Sequence, residues 1–248
     1  MLAASLKLAT SQGRLRFVGG RASGGESDQL QAYSIDLLEG GLGSAPVAGD
    51  LVLACIGCND STDFNIQVTT AGYTKLVDLS QIGSGETGRS NLAVFYKVLT
   101  TPETSVGFDF GVFPGRTRFA VHVWRGANAA SPIDTATQSY TAAGTAVANA
   151  PSITTASKNC VVIAVGSGAA SSAASGYTSI EMSQPADMKN FFGTSGSKAS
   201  ISGNITSIAI ASIVRSPIGS YDPPVFGGGG SSIANESYCA ATIALRSA

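Results

Sequence analysis

The chain has 248 residues, a formal net charge of −1 and 12% charged residues, against ~25% in an average globular protein. A balance so close to zero excludes a broad basic field for nucleic acid or an anionic membrane. With a mean hydropathy of +0.21, two surfaces fit: one covered by copies of the chain or by partners, or one kept soluble by Ser, Thr, Gly and Ala.

Residues 1–12 show no clear period, and Leu2, Leu6 and Leu8 have no place in a strand pattern. They are expected to form an arm that docks on a neighbouring subunit or frays, since termini are ordered only when tied down. No positive charge precedes the short apolar stretch of this segment, so it makes a poor signal peptide and the chain is expected to be made in a cytoplasm. No apolar run reaches the ~18–20 residues of a membrane helix.

Leu15 to Val18 reads as a first strand stopped by Gly19-Gly20, and Tyr33 to Leu38 alternates as a second. Gly49-Asp50 opens Leu51 to Ile56, a continuous apolar run that fits a buried central strand. Weaker strands follow near Ile66 to Thr69 and after Gly72-Tyr73-Thr74-Lys75-Leu76, and Ser80 to Ser90 reads as loop. Asn91 to Ala127 then holds three apolar segments, Leu92 to Leu99, Val106 to Phe113 and Phe119 to Trp124, separated by Thr101-Pro102-Glu103 and Pro114-Gly115. Period-2 patterning with such punctuation predicts an antiparallel meander.

A linker-like stretch runs to Pro132-Ile133-Asp134, and a strand is expected leading into Ile153. The earlier pattern then returns. Asn159 to Val165 is a second buried run, Gly176-Tyr177-Thr178-Ser179-Ile180 echoes Gly72 to Leu76, and Ile205 to Val214 alternates. Tyr238 to Leu245, followed by Arg246-Ser247-Ala248, echoes Phe119 to Trp124 followed by Arg125-Gly126-Ala127. The echoes predict a pseudo-repeat with halves at about 50–127 and 159–248. Two similar strand sets can face each other as one antiparallel β-sandwich of jelly-roll type over residues 13–248. Two separate β domains joined near 128–150 are the alternative. One sandwich is preferred, because the second half is Ala/Ser-rich and makes a poor core alone.

Residues that could carry chemistry are few. Cys55-Ile-Gly-Cys58 has the spacing of a redox pair or half a zinc site. No helical pattern follows it, and no second Cys/His pair stands at short spacing, so all four cysteines are expected to be buried free thiols without metal. His122, the single histidine, lies mid-strand with neither nucleophile nor orienting group marked, and no pair of carboxylates is singled out by spacing. Asn59-Asp60-Ser61-Thr62-Asp63 lacks the spacing of a calcium loop and reads as turn chemistry. The run Gly227 to Gly230 has no Lys-Ser/Thr after it and reads as a flexible loop. The three N-x-S/T sequons, at Asn59, Asn204 and Asn235, arise readily in so Ser/Thr-rich a chain.

The succession Gly49-Asp50-Leu51-Val52-Leu53, Gly72-Tyr73-Thr74-Lys75-Leu76, Leu92-Ala93-Val94-Phe95-Tyr96-Lys97-Val98, Trp124-Arg125-Gly126-Ala127 and Pro132-Ile133-Asp134 resembles a pattern of tailed-bacteriophage virion structural proteins. These are β-sandwich proteins of head-decoration and tail-fibre type. The resemblance covers roughly residues 46–248; many relatives carry Tyr where this chain has Trp124. It implies a non-enzymatic virion component without cofactor, capsid-decorating or tail-associated, working by burial between subunits as a homo-oligomer, with a trimer the expected state. The alternative is a fibre or spike module that binds a host glycan. Tyr140, Tyr221 and Phe226, aromatics in loop-like segments, are the candidate contacts, since sugar rings stack on aromatic faces.

Overall fold

The computed structural model describes residues 14–24, 32–38, 44–60, 62–82, 89–111, 116–135, 137–143, 148–170, 184–196, 205–226 and 236–248. Among these there is no helix, and the fold is all-β with antiparallel sheets. The strands are β1 (Arg16–Gly24), β2 (Ala32–Asp36), β3 (Leu51–Asp60), β4 (Gln67–Val68), β5 (Thr74–Ile82), β6 (Arg89–Val98), β7 (Ser105–Asp109) and β8 (Arg116–Arg125). They continue with β9 (Gln138–Ala143), β10 (Ile153–Thr155), β11 (Cys160–Ala170), β12 (Lys189–Gly196), β13 (Ile205–Arg215), β14 (Gly219–Tyr221) and β15 (Glu236–Leu245). The arm residues Leu2, Leu6 and Leu8 and the echo at 176–180 lie outside the described residues.

Two five-stranded sheets dominate, in the orders β1-β8-β3-β6-β5 and β12-β13-β11-β15-β9. They pack face to face. Leu51, Leu53, Cys55, Leu92, Val94, Ala120 and Trp124 of the first meet Val161, Ile163, Val165, Ile208, Ile210, Ala241 and Ile243 of the second. Each sheet is covered on its outer face as well. The three-stranded sheet β2-β7-β4 lays Ile35, Val106 and Phe108 on Val52, Ala54, Phe95, Phe119 and Val121. The pair β10-β14 and the segments carrying Ala148, Met188 and Phe226 cover the alanine-rich outer face of the second sheet at Ala164, Ala209, Ala211 and Ala240. Four layers therefore stand where a two-layer sandwich was expected. This is why β3 and β11 read as unbroken apolar runs: each is the central strand of a sheet buried on both faces.

The meander expectation is corrected. β6 and β8 both pair with β3, on opposite sides, while β7 leaves them for β2 and β4. A period of two marks a strand and its buried face; it does not name the partner. The first strand also runs on through Gly19-Gly20 with a bulge between Phe17 and Gly19, and β5 extends into the segment read as loop.

After β8 and β15 the chain meets itself. Ala127 and Ser247 form an antiparallel bridge, with Asn128 N donating to Arg246 O at 3.0 Å and Ala248 N to Gly126 O at 2.9 Å. Each closing arginine holds a buried carboxylate. Arg125 clasps Asp50 through Nε–Oδ1 and Nη2–Oδ2, both at 2.7 Å. Arg246 reaches Asp134 at 3.3 Å.

Candidate functional site

A buried polar seam lies between the two large sheets. At one end, Ser90 of β6 donates its amide to Ser237 Oγ (3.0 Å) and its hydroxyl to Ser167 O (3.2 Å). Ser167 Oγ donates to Asn91 O and Cys239 Sγ to Ser90 O, each at 3.2 Å. All are buried, so these hydroxyls are consumed in tying sheet to sheet. Glycine permits the approach: a Cβ on Gly57 would stand 2.4 Å from Ser167 Oγ.

At the other end sits His122, on the same face of β8 as Trp124 and 0% exposed. Phe17, Phe192 and Trp124 surround its ring at centroid distances of 5.0, 5.7 and 6.0 Å. Its Nε2 lies 2.9 Å from Asn190 O on β12. A carbonyl only accepts, so Nε2 carries the proton, and Nδ1 is an acceptor with no partner. Burial drives the imidazole pKa down to about 3, only partly opposed by the bond to Asn190. It is held neutral, away from solvent, against rings rather than against a nucleophile.

The thiols are inert in the same sense. Cys55 and Cys58 are three residues apart on one strand and so face opposite ways, Cys55 between the large sheets and Cys58 toward the small one. Neither redox pairing nor joint ligation is open to them. Burial pushes Cys55 far up, and Cys160 and Cys239 each to about 12. Among the described residues, no three His, Cys, Asp or Glu side chains converge as a metal site needs. In the recess lined by Asp63, Phe64, Asn65, Asp78 and Ser80, the Lys75 ammonium bonds Asn65 Oδ1 (2.9 Å) and Asp78 Oδ2 (2.8 Å), filling the place a cation would take.

The candidate glycan contacts stand on three different segments, β9, β14 and the chain after β14. Tyr140 stands on edge strand β9 and is 51% exposed. Tyr221 is half-buried in β14, with the Arg215 guanidinium 4.7 Å from its ring centroid. Phe226 is 1% exposed and packs with Ala148 and Met188, leaving no face for a sugar. A cleft of about 270 Å³ opens nearby, lined by Asp187, Lys189, Asn190, Ser212, Ile213 and Val214. Sequence reasoning passed over it, since KNFFGTSG on β12 carries two glycines and no sustained alternation; the positive φ of Asp187 and Asn190 shows only in the folded backbone.

No family model, curated protein or solved structure matches this chain.

Proposed function

We propose that this chain is a non-enzymatic virion component of a tailed bacteriophage, capsid-decorating or tail-associated, built from two jelly-roll halves and acting through surface burial as a homo-oligomer. The five-segment resemblance carries the virion role, and the strand order carries the jelly-roll halves. Numbered along the chain, an eight-stranded jelly roll places strands 1-8-3-6 in one sheet and 2-7-4-5 in the other. Here β1-β8-β3-β6 and β2-β7-β4 follow that order, with β5 kept beside β6. The second large sheet, taken from its other edge, is β9-β15-β11-β13-β12, and β10 pairs with β14. Substituting β9 for β1, β10 for β2, β11 for β3, β12 for β5, β13 for β6, β14 for β7 and β15 for β8 reproduces the first set. Only β4 has no counterpart among the described residues. The strands of Cys55 and Cys160 thus hold the same central place in each half.

Jelly rolls serve viral capsids and lectins alike, so the fold alone favours neither reading. The virion role gains from the five-segment resemblance and from the use of the buried polar groups: His122, Ser90, Ser167, Ser237 and Cys239 are spent on cohesion between sheets. The glycan reading is supported by one side chain, the exposed Tyr140. The deciding measurement is immunodetection of the chain on purified phage particles, with its copy number. Many copies per particle are expected for decoration and few for a tail tip; absence from particles overturns the proposal. Light scattering of the purified chain should give the mass of a trimer. Glycan-array binding abolished by Tyr140→Ala would shift the choice to the recognition module.

A further inference from the structure

We propose that His122 is an acid-sensitive latch between the two large sheets, holding edge strand β12 against β1 and β8 while neutral and releasing it when protonated. The proposal stands on how the imidazole is housed and is independent of the virion reading.

The bond from Nε2 to Asn190 O crosses from β8 of one sheet to β12 of the other. β12 is the edge strand and pairs only with β13, with a register shift between Lys189 and Phe192. Asn190 lies within that shift at φ 51°, a left-handed conformation that surrounding contacts must hold. Its side chain donates to Ser212 Oγ at 2.9 Å. Gly20, opposite His122 on β1, lets the Phe192 ring lie over the strand, since a Cβ there would stand 2.7 Å from it. Phe192 and Asn190 are thus what β12 contributes to the seam, and both close on His122.

Among the described residues, no charge of opposite sign faces the ring. β1 presents Phe17 and Gly20; its Arg16 lies across from Arg125, and Arg21 donates to Asp36 O on the outer side. β3 places Leu53 opposite, with the neutral Cys55 thiol beyond. β13 supplies Ile210 and Ser212, and β8 itself Ala120 and Trp124, its Arg125 being committed to Asp50. On and before β12, Lys189 and Asp187 are exposed and line the outer cleft together, so their charges offset. A second proton would go to Nδ1, where no acceptor waits. An imidazolium therefore forms only if the ring reaches water; of the two edge strands packed on it, β1 and β12, the one that parts is β12, whose Asn190 O takes the Nε2 proton across the sheets. The central strands β3 and β11, paired on both sides, stay closed.

Trp124, the single tryptophan, reports the event from 6.0 Å. In the full chain, lowering pH from 7 to 4 should reversibly red-shift its emission. Amide exchange in 189–196, corrected for the intrinsic pH effect, should rise up to tenfold per pH unit below the free-histidine value of 6.5, as one-proton linkage requires. Exchange in β3 and β11 should stay slow. His122→Phe and His122→Gln should each abolish both signals; two variants are named so that a folding defect in one leaves the other. Wild-type protein with no change down to pH 4, a variant that keeps the transition, or simultaneous exposure of β3 and β11 would overturn the latch.

Discussion

Gly57 shows how a single missing methyl sets the distance between the two large sheets. It lies on the face of β3 that meets the second sheet, and the space of its absent Cβ is taken by Ser167 Oγ. Gly57→Val should cost about 1–3 kcal/mol by overpacking, read as a lower urea midpoint at unchanged slope; unchanged stability would show that the sheets are free to separate there. Asp134 makes a pH-dependent contribution. Burial alone would raise its pKa, but the Ser157 hydroxyl, the Ala156 and Ser157 amides and the Cys160 thiol together hold it below 3.8. The unfolded chain therefore takes up this proton first as pH falls, and stability is fully present above 3.8 and lost below it, as pH approaches the folded value. Asp134→Asn should flatten the stability curve below pH 4 and leave it unchanged in shape near neutrality; an identical acid limb in the variant would refute that assignment. Residue identity told part of this in advance: a lone histidine between valines read as a strand residue against the core. Its partner is a backbone carbonyl 68 positions away, which no side-chain pattern encodes.

At the scale of elements, the sequence was most legible where burial was greatest. Leu51 to Ile56 and Asn159 to Val165 announced β3 and β11 because both of their faces are covered. β12 and β14 were missed for the opposite reason: one is a bulged, glycine-containing edge and the other has three residues, too short for a period. The crossing of β7 to the small sheet was hidden because its alternation serves either partner equally. That crossing has an energetic anchor. Phe108 is 0% exposed, with ring centroids of Phe95 and Phe119 at 5.9 and 6.0 Å, so with Val106 it pins β7 to the first large sheet. Phe108→Ala should cost about 3–5 kcal/mol and raise amide exchange first in β2, β4 and β7. Loss spread evenly over β3 and β11 would mean that the small sheet is not a separate cooperative unit.

Over the whole molecule, the two five-stranded sheets meet face to face, the chain passing from one to the other by a single connection between β8 and β9. The contact between them is the apolar layer from Leu51 and Leu53 to Ile163 and Ile243, closed by the serine seam and by the pairing of Ala127 with Ser247. Burying such side chains is worth about 1.5–3 kcal/mol each, so this layer resembles the interface of an obligate dimer rather than that of a transient one. The covalent link then matters for assembly speed more than for cohesion, because it raises effective concentration without adding contacts. A protease site introduced at residue 136 and cut after folding should leave 1–136 and 137–248 together through gel filtration, parting only in denaturant. Either piece made alone would present the bare inner face of its five-stranded sheet and should self-associate or aggregate. Clean separation of the cut halves in native buffer, or a monodisperse monomer from either one, would show that the large sheets are neighbours rather than partners.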